Sequence, residues 1–361
     1  MRKKIAIICP HPEGVAPGQR LKYEQYFSHW REHGWQVDVY PFQSHRFWEI
    51  APKQGHILEK IAWTLIGYFH RLLLLFKLRN YDVSYIFLWV TPFGPPIFEW
   101  MYCLISKKVI FDIDDLVFLG HASQANSWIS RIKGKNKPIY LMKKANHVIT
   151  CTPYLDHFVR TYNPQTTDIS STIRTDQYAV VNSYNNDHKI ILGWSGSHST
   201  AKYLYLLRDV LLEVHQTRPF QLLVMGTDSF HIEGLDIECM PWSESMEVKT
   251  IQRFDIGLYP LPDELWVHGK SGLKALQYMA CGVPTVAANV GDAIQRVITN
   301  GEDGFTITQP HEWVEKIKLL IDQPTLRKAM GEKARKKVEE HYSIDANKNT
   351  YLQILNTVFE K

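Results

Sequence analysis

The stretch "GKSGLKALQYMACGVP", residues 269–284, sets two ammonium groups, Lys270 and Lys274, around the start of a helix predicted from Ser271 to Cys281. A helix amino end carries the positive end of the peptide dipole, so a cation there costs about 0.3–1 kcal/mol unless an anion sits among the charges. With an anion present, free backbone N–H groups, the dipole and both ammonium groups act together. The alternative reading is that one or both lysines simply extend into water. Gly282 follows the helix, where a left-handed cap is wanted. The "GKS" is shared with P-loops, but the first glycine that motif demands falls on Glu264, whose carboxylate would repel phosphate.

Three other stretches hold residues able to do chemistry. "FDIDDLVFLGHAS", residues 111–123, brings Asp112, Asp114 and Asp115 to the end of an apolar run, with His121 following. Two carboxylates two apart on an extended segment suit a hard divalent cation; equally, Asp gathers where strands run out into turns. "GWSGSHST", residues 193–200, offers a second anion cradle: Gly193 and Gly196 let backbone approach a ligand, Ser199 or Thr200 caps the next helix, and Lys202 adds a charge. In "PHPEGVAPGQR", residues 10–20, Gly14 and Gly18 with Arg20 at a helix start fit a flexible flap beside an anion or an acceptor, or a plain surface turn.

These residues need elements to position them, and two stretches begin alike. "KKIAIICP" leads through the first glycine loop into helical "LKYEQYFSHWREHG" and strand-like "WQVDVYPF"; "KIILGW" leads through the second into "AKYLYLLRDVLLEVHQTR" and "PFQLLVMG". Leu204, Leu207, Val210, Leu211 and Val214 share one face at helical spacing. Strand, glycine-bearing loop, helix, strand is the unit of a doubly wound parallel sheet. Further apolar runs such as "VSYIFLWV", "HVITCT" and "DIGLYPL" supply more strands. The expected fold is α/β, two Rossmann-like doubly wound domains facing across a cleft. The domains are 1–187 and 188–345, joined through a polar connection, and 346–361 is a last helix packing back toward the first domain.

Composition agrees and excludes other classes. At 361 residues two domains are expected, and 45% hydrophobic with 22% charged residues describes a folded chain. A net charge of +4 is too mild to point to nucleic acid. Five scattered cysteines form no metal or redox spacing and read as reduced, which suits a cytoplasmic protein. The opening "MRKKIAIICPHPEG" reads as a first strand, not a signal peptide. Residues 57–80, "ILEKIAWTLIGYFHRLLLLFKLRN", are interrupted by His70 and Arg71 and fall short of a spanning helix. With Lys60, Arg71, Lys77 and Arg79 beside many apolar residues, they suit a helix lying on the inner, anionic face of a membrane, or a mostly buried helix with a basic edge.

The second half resembles the nucleotide-sugar-binding domain of glycosyltransferase family 4, the retaining group 1 enzymes of GT-B fold. The resemblance rests on "ILGWSGSHST", "FDIGLYPLPDELW", "GKSGLKALQYMACGVPTVAANVG", "ITNGEDGFTI" and "RKAMGEKARKKVEEHYS", spread over most of residues 188–345. The first half matches more loosely, through its opening strand and loop, "EHGWQVDVY" and "FDIDDLVF". The resemblance implies that Lys270 and the amides around Ser271 and Gly272 hold a donor diphosphate. It sets Ser195 and Gly196 beside the same phosphates and Gln277 where a glutamate contacts the donor ribose. Two glutamates eight apart are common in that family; here Gly269 and Gln277 stand at those positions.

It also implies metal-independent catalysis, because lysine and helix amides neutralise the leaving diphosphate. The carboxylates then face the acceptor: Asp114, Asp115 or His121 orients or deprotonates its hydroxyl, and Asp112 either joins them or caps backbone. The expected activity is transfer of a sugar, with retention, from a nucleotide-diphosphate donor to a glycan or lipid-linked acceptor, in surface polysaccharide or glycolipid assembly. No cofactor beyond the donor is expected. A nucleotide-sugar epimerase on the same scaffold, a non-catalytic nucleotide-sugar-binding protein and a metal-dependent transferase of another fold are the rivals.

Overall fold

The computed structural model describes residues 3–51, 53–116, 134, 136–180 and 189–361. The chain divides into two compact units, Met1–Ser171 with Asn347–Lys361, and Thr172–Ala346. Each is built on one six-stranded, wholly parallel sheet.

The first unit carries β1 (Lys3–Cys9), β2 (Trp35–Pro41), β3 (Val83–Phe87), β4 (Val109–Asp112), β5 (His147–Thr150) and β6 (Thr166–Asp168). They run in the order β2-β1-β3-β4-β5-β6. Ile5, Ala6, Ile7 and Ile8 are wholly buried, as expected of a parallel strand covered on both faces. The second unit carries β7 (Ile191–Ser195), β8 (Gln221–Met225), β9 (Asp236–Met240), β10 (Ile256–Tyr259), β11 (Thr285–Ala288) and β12 (Gly304–Ile307). Its order is β12-β11-β10-β7-β8-β9, so the winding reverses between β7 and β10. At that reversal the loops leaving the two strands diverge, and open α/β sheets bind their ligands there.

Several expectations change in detail. The division falls between Ser171 and Thr172 rather than after residue 187. Residues just beyond 171 already serve the second unit: Ile173 bridges Ser343 and Tyr178 joins the second core. The helix Ile344–Glu360 ends in the first unit, where Tyr351 stacks near Tyr26 and Trp30.

The single helix expected after the first loop is three short pieces, Pro17–Arg20, a 3-10 turn Glu24–Tyr26, and Phe27–Glu32. Arg20 thus lies in the last turn of a helix, where the dipole favours a cation, and not at a helix start. In the second unit a 3-10 segment, Ala201–Leu207, precedes the helix Arg208–Thr217, and Thr200 makes no side-chain cap. The helix that begins at Ile57 ends at Leu75. Its Arg71 is buried, not on an exposed basic edge. The guanidinium donates to the carbonyls of Cys9, Tyr40 and Val90, each at 2.8 Å, fastening the helix to the carboxyl edge of the sheet.

Candidate functional site

At the reversal of the second sheet, β7 ends on Trp194 and Ser195 and β10 on Tyr259. After β10 comes the helix Leu273–Ala280, which packs on β10 and β11 and is shorter at both ends than the predicted span. Its first residue is preceded by Gly272 at φ 77°, a left-handed conformation that glycine takes without the steric cost of a Cβ. The N-cap position is this glycine, which has no side-chain oxygen to offer the leading N–H groups. Ser271 lies outside the helix, in the loop that delivers the chain to it.

Lys274, in the first turn, places its ammonium 4.3 Å from the Trp194 ring centroid and 5.8 Å from that of Tyr259. Among the described residues no carboxylate or other acceptor meets it. Part of the side chain keeps solvent access, yet dense packing around the ammonium, followed by repulsion from Lys270, pushes its pKa down to about 7. A cation over an aromatic face gains about 0.5–2 kcal/mol, depending on desolvation, which offsets the cost of that packing only in part. Lys270 lies 5.7 Å from the Trp266 ring centroid, and Trp266 in turn meets Tyr203 at 5.7 Å. Two ammonium groups are thus crowded at one sheet edge on aromatic supports.

The loop after β7 is fitted to this floor by backbone. A Cβ on Gly196 would stand 2.1 Å from Trp194 and 2.7 Å from Lys274 Nζ. The neighbouring Gly226, at φ 112°, would put a Cβ 2.0 Å from the Gly196 carbonyl. Ser195 is buried and committed: its N–H donates to Tyr278 Oη at 2.7 Å, and its hydroxyl lies 3.0 Å from the same oxygen. Ser195 therefore ties β7 to the helix. Lys202 does not join the pair; it is exposed, with its ammonium 5.2 Å from the ring centroid of adjacent Tyr203.

Gln277 is buried on the same helix, and its Nε2 donates to Tyr178 Oη at 3.0 Å. Tyr178 donates in turn to Glu247 Oε2 at 3.2 Å, and Trp242 Nε1 donates to Glu247 Oε1 at 2.8 Å. This chain of bonds suits a glutamine at position 277. The hydroxyl already gives its proton to Glu247, so residue 277 must donate, which a carboxylate cannot do.

In the first unit the three aspartates part company. Asp112, at the end of β4, is wholly buried: one oxygen pairs with the ammonium of buried Lys22 and the other accepts from Tyr85 Oη. It is a core ion pair, and the acceptor-side role expected of it is withdrawn. Burial pushes its carboxyl up, against the pull of Lys22 and Tyr85. Asp114 and Asp115 follow, both partly exposed. An oxygen of Asp114 would lie 2.6 Å from a Cβ on Gly18, so that glycine makes room for the carboxylate. Asp115 accepts from the Leu116 N–H at 2.8 Å.

Among the described residues no three His, Cys, Asp or Glu side chains are grouped to hold a metal. The first loop is braced rather than free. Gly14 N–H donates to Glu24 Oε2 at 2.9 Å, and buried Gln19 bonds both the N–H and the carbonyl of His11. His121 lies outside the described residues.

Sequence reasoning singled out both lysines and the glycines but not Trp194, Tyr259 and Trp266, whose rings lie against the two ammonium groups. The signal available was a tryptophan between glycines at a strand end and another four residues before a lysine.

Comparison with known proteins follows this geometry. Residues 189–323 match the family model described as Glycosyl transferases group 1. A stretch of 87 residues is 36% identical to the trehalose synthase of Pyrococcus horikoshii, covering 24% of this chain and 21% of that enzyme. Another of 91 residues is 33% identical to the capsular polysaccharide biosynthesis glycosyltransferase CapM of Staphylococcus aureus, 23% of this chain and 24% of the relative. The matched stretches thus span about a quarter or less of these relatives.

Solved structures agree over almost the whole chain. Sucrose-phosphate synthase from Thermosynechococcus elongatus superposes with a TM-score of 0.72 at 16% identity, covering 99% of this chain and all of that one (100%). Anabaena HepE in complex with UDP and glucose gives 0.65 at 14% identity, with 98% and 100% covered. The chain therefore has the fold of GT-B glycosyltransferases, two Rossmann-like units, and its residues 189–323 carry the likeness to group 1 glycosyl transferases.

Proposed function

We propose that the protein transfers a sugar from a nucleotide-diphosphate donor to a hydroxyl acceptor with retention at the anomeric carbon. Lys270, Lys274 and the leading amides of Leu273–Ala280 receive the diphosphate, with Gly196 giving the loop its close approach and Ser195 positioning that loop. The observation that carries this reading is the Lys274 ammonium, seated on Trp194 and Tyr259 beside a second lysine, with no protein acceptor among the described residues. The likeness of residues 189–323 to group 1 glycosyl transferases supports it independently.

The anomeric C–O bond to phosphate breaks with its electron pair on the phosphate oxygen, where the ammonium groups and amides stabilise the developing charge. The acceptor oxygen forms the new bond, and its proton passes to a base, a role this proposal gives to Asp114 or Asp115. Gln277, its Nε2 engaged by Tyr178, offers Oε1 to a donor ribose hydroxyl. Retention and independence from divalent metal are part of this proposal, and the family resemblance is what supports them. Likeness to CapM favours a glycan or lipid-linked acceptor in surface polysaccharide assembly.

The test is turnover of a panel of nucleotide sugars with and without EDTA, reading nucleotide release and the anomeric configuration of the product. Lys270→Ala should weaken donor binding by about tenfold or more, the scale of one charge-assisted contact. Undiminished donor affinity in Lys270→Ala would misplace the site. An epimerised free sugar without acceptor would make the protein an epimerase, and activity lost in EDTA would restore a metal.

A further inference from the structure

The helix Ile57–Leu75 and the turn after it present an apolar stripe that stands exposed among the described residues. Leu58, Leu65, Phe69, Leu72 and Phe76 recur at intervals of three to seven residues, which places them on one face, and Leu58 and Phe76 are 84% and 80% exposed. The opposite face is fixed. Arg71 holds three carbonyls of the sheet edge, Leu74 and Leu75 are buried, and a Cβ on Gly67 would stand 2.7 Å from Phe42. The helix therefore has no freedom to roll its stripe inward. The helix Ile97–Ile105 packs beside it and exposes Ile97, Trp100 and Leu104, again at helical spacing. Contiguous exposed apolar surface on this scale marks an interaction site, unlike single scattered side chains.

We infer that this two-helix face docks on an anionic lipid surface, with the stripe at the boundary of headgroups and acyl chains. Charge selects that occupant. The one carboxylate on the first helix, Glu59, is engaged by Arg46 and His56, and the one on the second, Glu99, is buried beside Lys137. Exposed Lys53 precedes the stripe, and exposed Lys77 and Arg79 follow it. At 1.5 Å per residue the helix is roughly 28 Å long, but it is apolar on one side only. No described helix is long and apolar enough to cross a membrane, so this one lies in the plane of the surface.

The test is flotation of the full chain with vesicles of phosphatidylcholine alone and with phosphatidylglycerol added. The anionic vesicles should bind at least about tenfold more tightly, as juxtaposed basic residues at such surfaces require. Leu65→Glu with Phe69→Glu should lose about tenfold or more while keeping the far-UV circular dichroism of the parent. Lys77→Glu with Arg79→Glu, outside the packed helix, should remove the preference for anionic lipid. Brominated acyl chains should quench emission that is missing from Trp100→Leu. Failure of the parent protein to float with anionic vesicles overturns the proposal, as does unchanged flotation of the folded double glutamate variant. A lipid-independent dimer abolished by those same glutamates, without vesicle binding, assigns the face to a second copy instead. None of these outcomes depends on the sugar chemistry, so the two readings stand or fall separately.

Discussion

Each sheet has a packed lysine near the carboxyl edge of its central strands, and the two are in opposite situations. Lys22, 1% exposed, is answered by the wholly buried Asp112, which also accepts from Tyr85. Lys274 is answered by two aromatic faces and a second lysine. A charge removed from water needs a counter-charge or good hydrogen bonds, because the desolvation cost is several kcal/mol. The first unit supplies that counter-charge from its own chain. The second supplies only polarisable support, and a diphosphate is the external group that would complete it. Internal pairing marks the lysine that builds the fold; on the proposed function, external pairing marks the one that binds.

That contrast breaks first at Asp112. Asp112→Asn should cost about 3–5 kcal/mol in urea-induced unfolding, since removing one partner leaves a buried ammonium uncompensated. Lys274→Met should do the reverse. Its stability should match or exceed that of the parent, while calorimetric affinity for a nucleoside diphosphate falls by about tenfold to a hundredfold, or about 1.4–2.8 kcal/mol. A Lys274→Met protein as unstable as Asp112→Asn would erase the distinction.

The third test is protonic. Unfolded, Lys274 keeps its proton to about 10.4, whereas in the folded chain it is lost near 7. Between those values the unfolded state binds more protons, so this residue makes stability rise with pH across that window. A bound anion restores the proton. Nucleoside diphosphate binding near pH 8 should therefore take up protons, seen as a dependence of the calorimetric heat on buffer ionisation enthalpy that Lys274→Met abolishes.

The smallest effect is expected at Gln277. Gln277→Glu sets a second carboxylate against the hydroxyl that already donates to Glu247, which should cost about 1–2 kcal/mol at pH 8. Its folded pKa would be raised, so stability should recover as pH falls, measurable as a thermal midpoint that climbs on acidification.

The apolar strand runs were legible because strands covered on both faces must be apolar nearly throughout, as "IAIIC" and "QLLVM" are. The edge strands β6, "TTD", and β9, "DIECM", carry no such signal, since an edge strand is covered less and tolerates polar residues. The lysines were legible from charge at a helix start, a local property. The partner of Asp112 lies 90 positions away and that of Lys274 is a ring from another strand, so neither follows from spacing. Arg71 misled for the same reason: a cation among leucines reads as surface until three carbonyls converge on it.

Residues 347–361 belong to the first unit although they are synthesised after the whole of the second. Tyr351 must reach Tyr26 and Trp30 before the early aromatic core is complete. On the ribosome the amino-terminal sheet is therefore made before the residues that pack on those rings. A fragment stopped at Ser171 lacks those residues and presents the rings to chaperones or to other copies of itself.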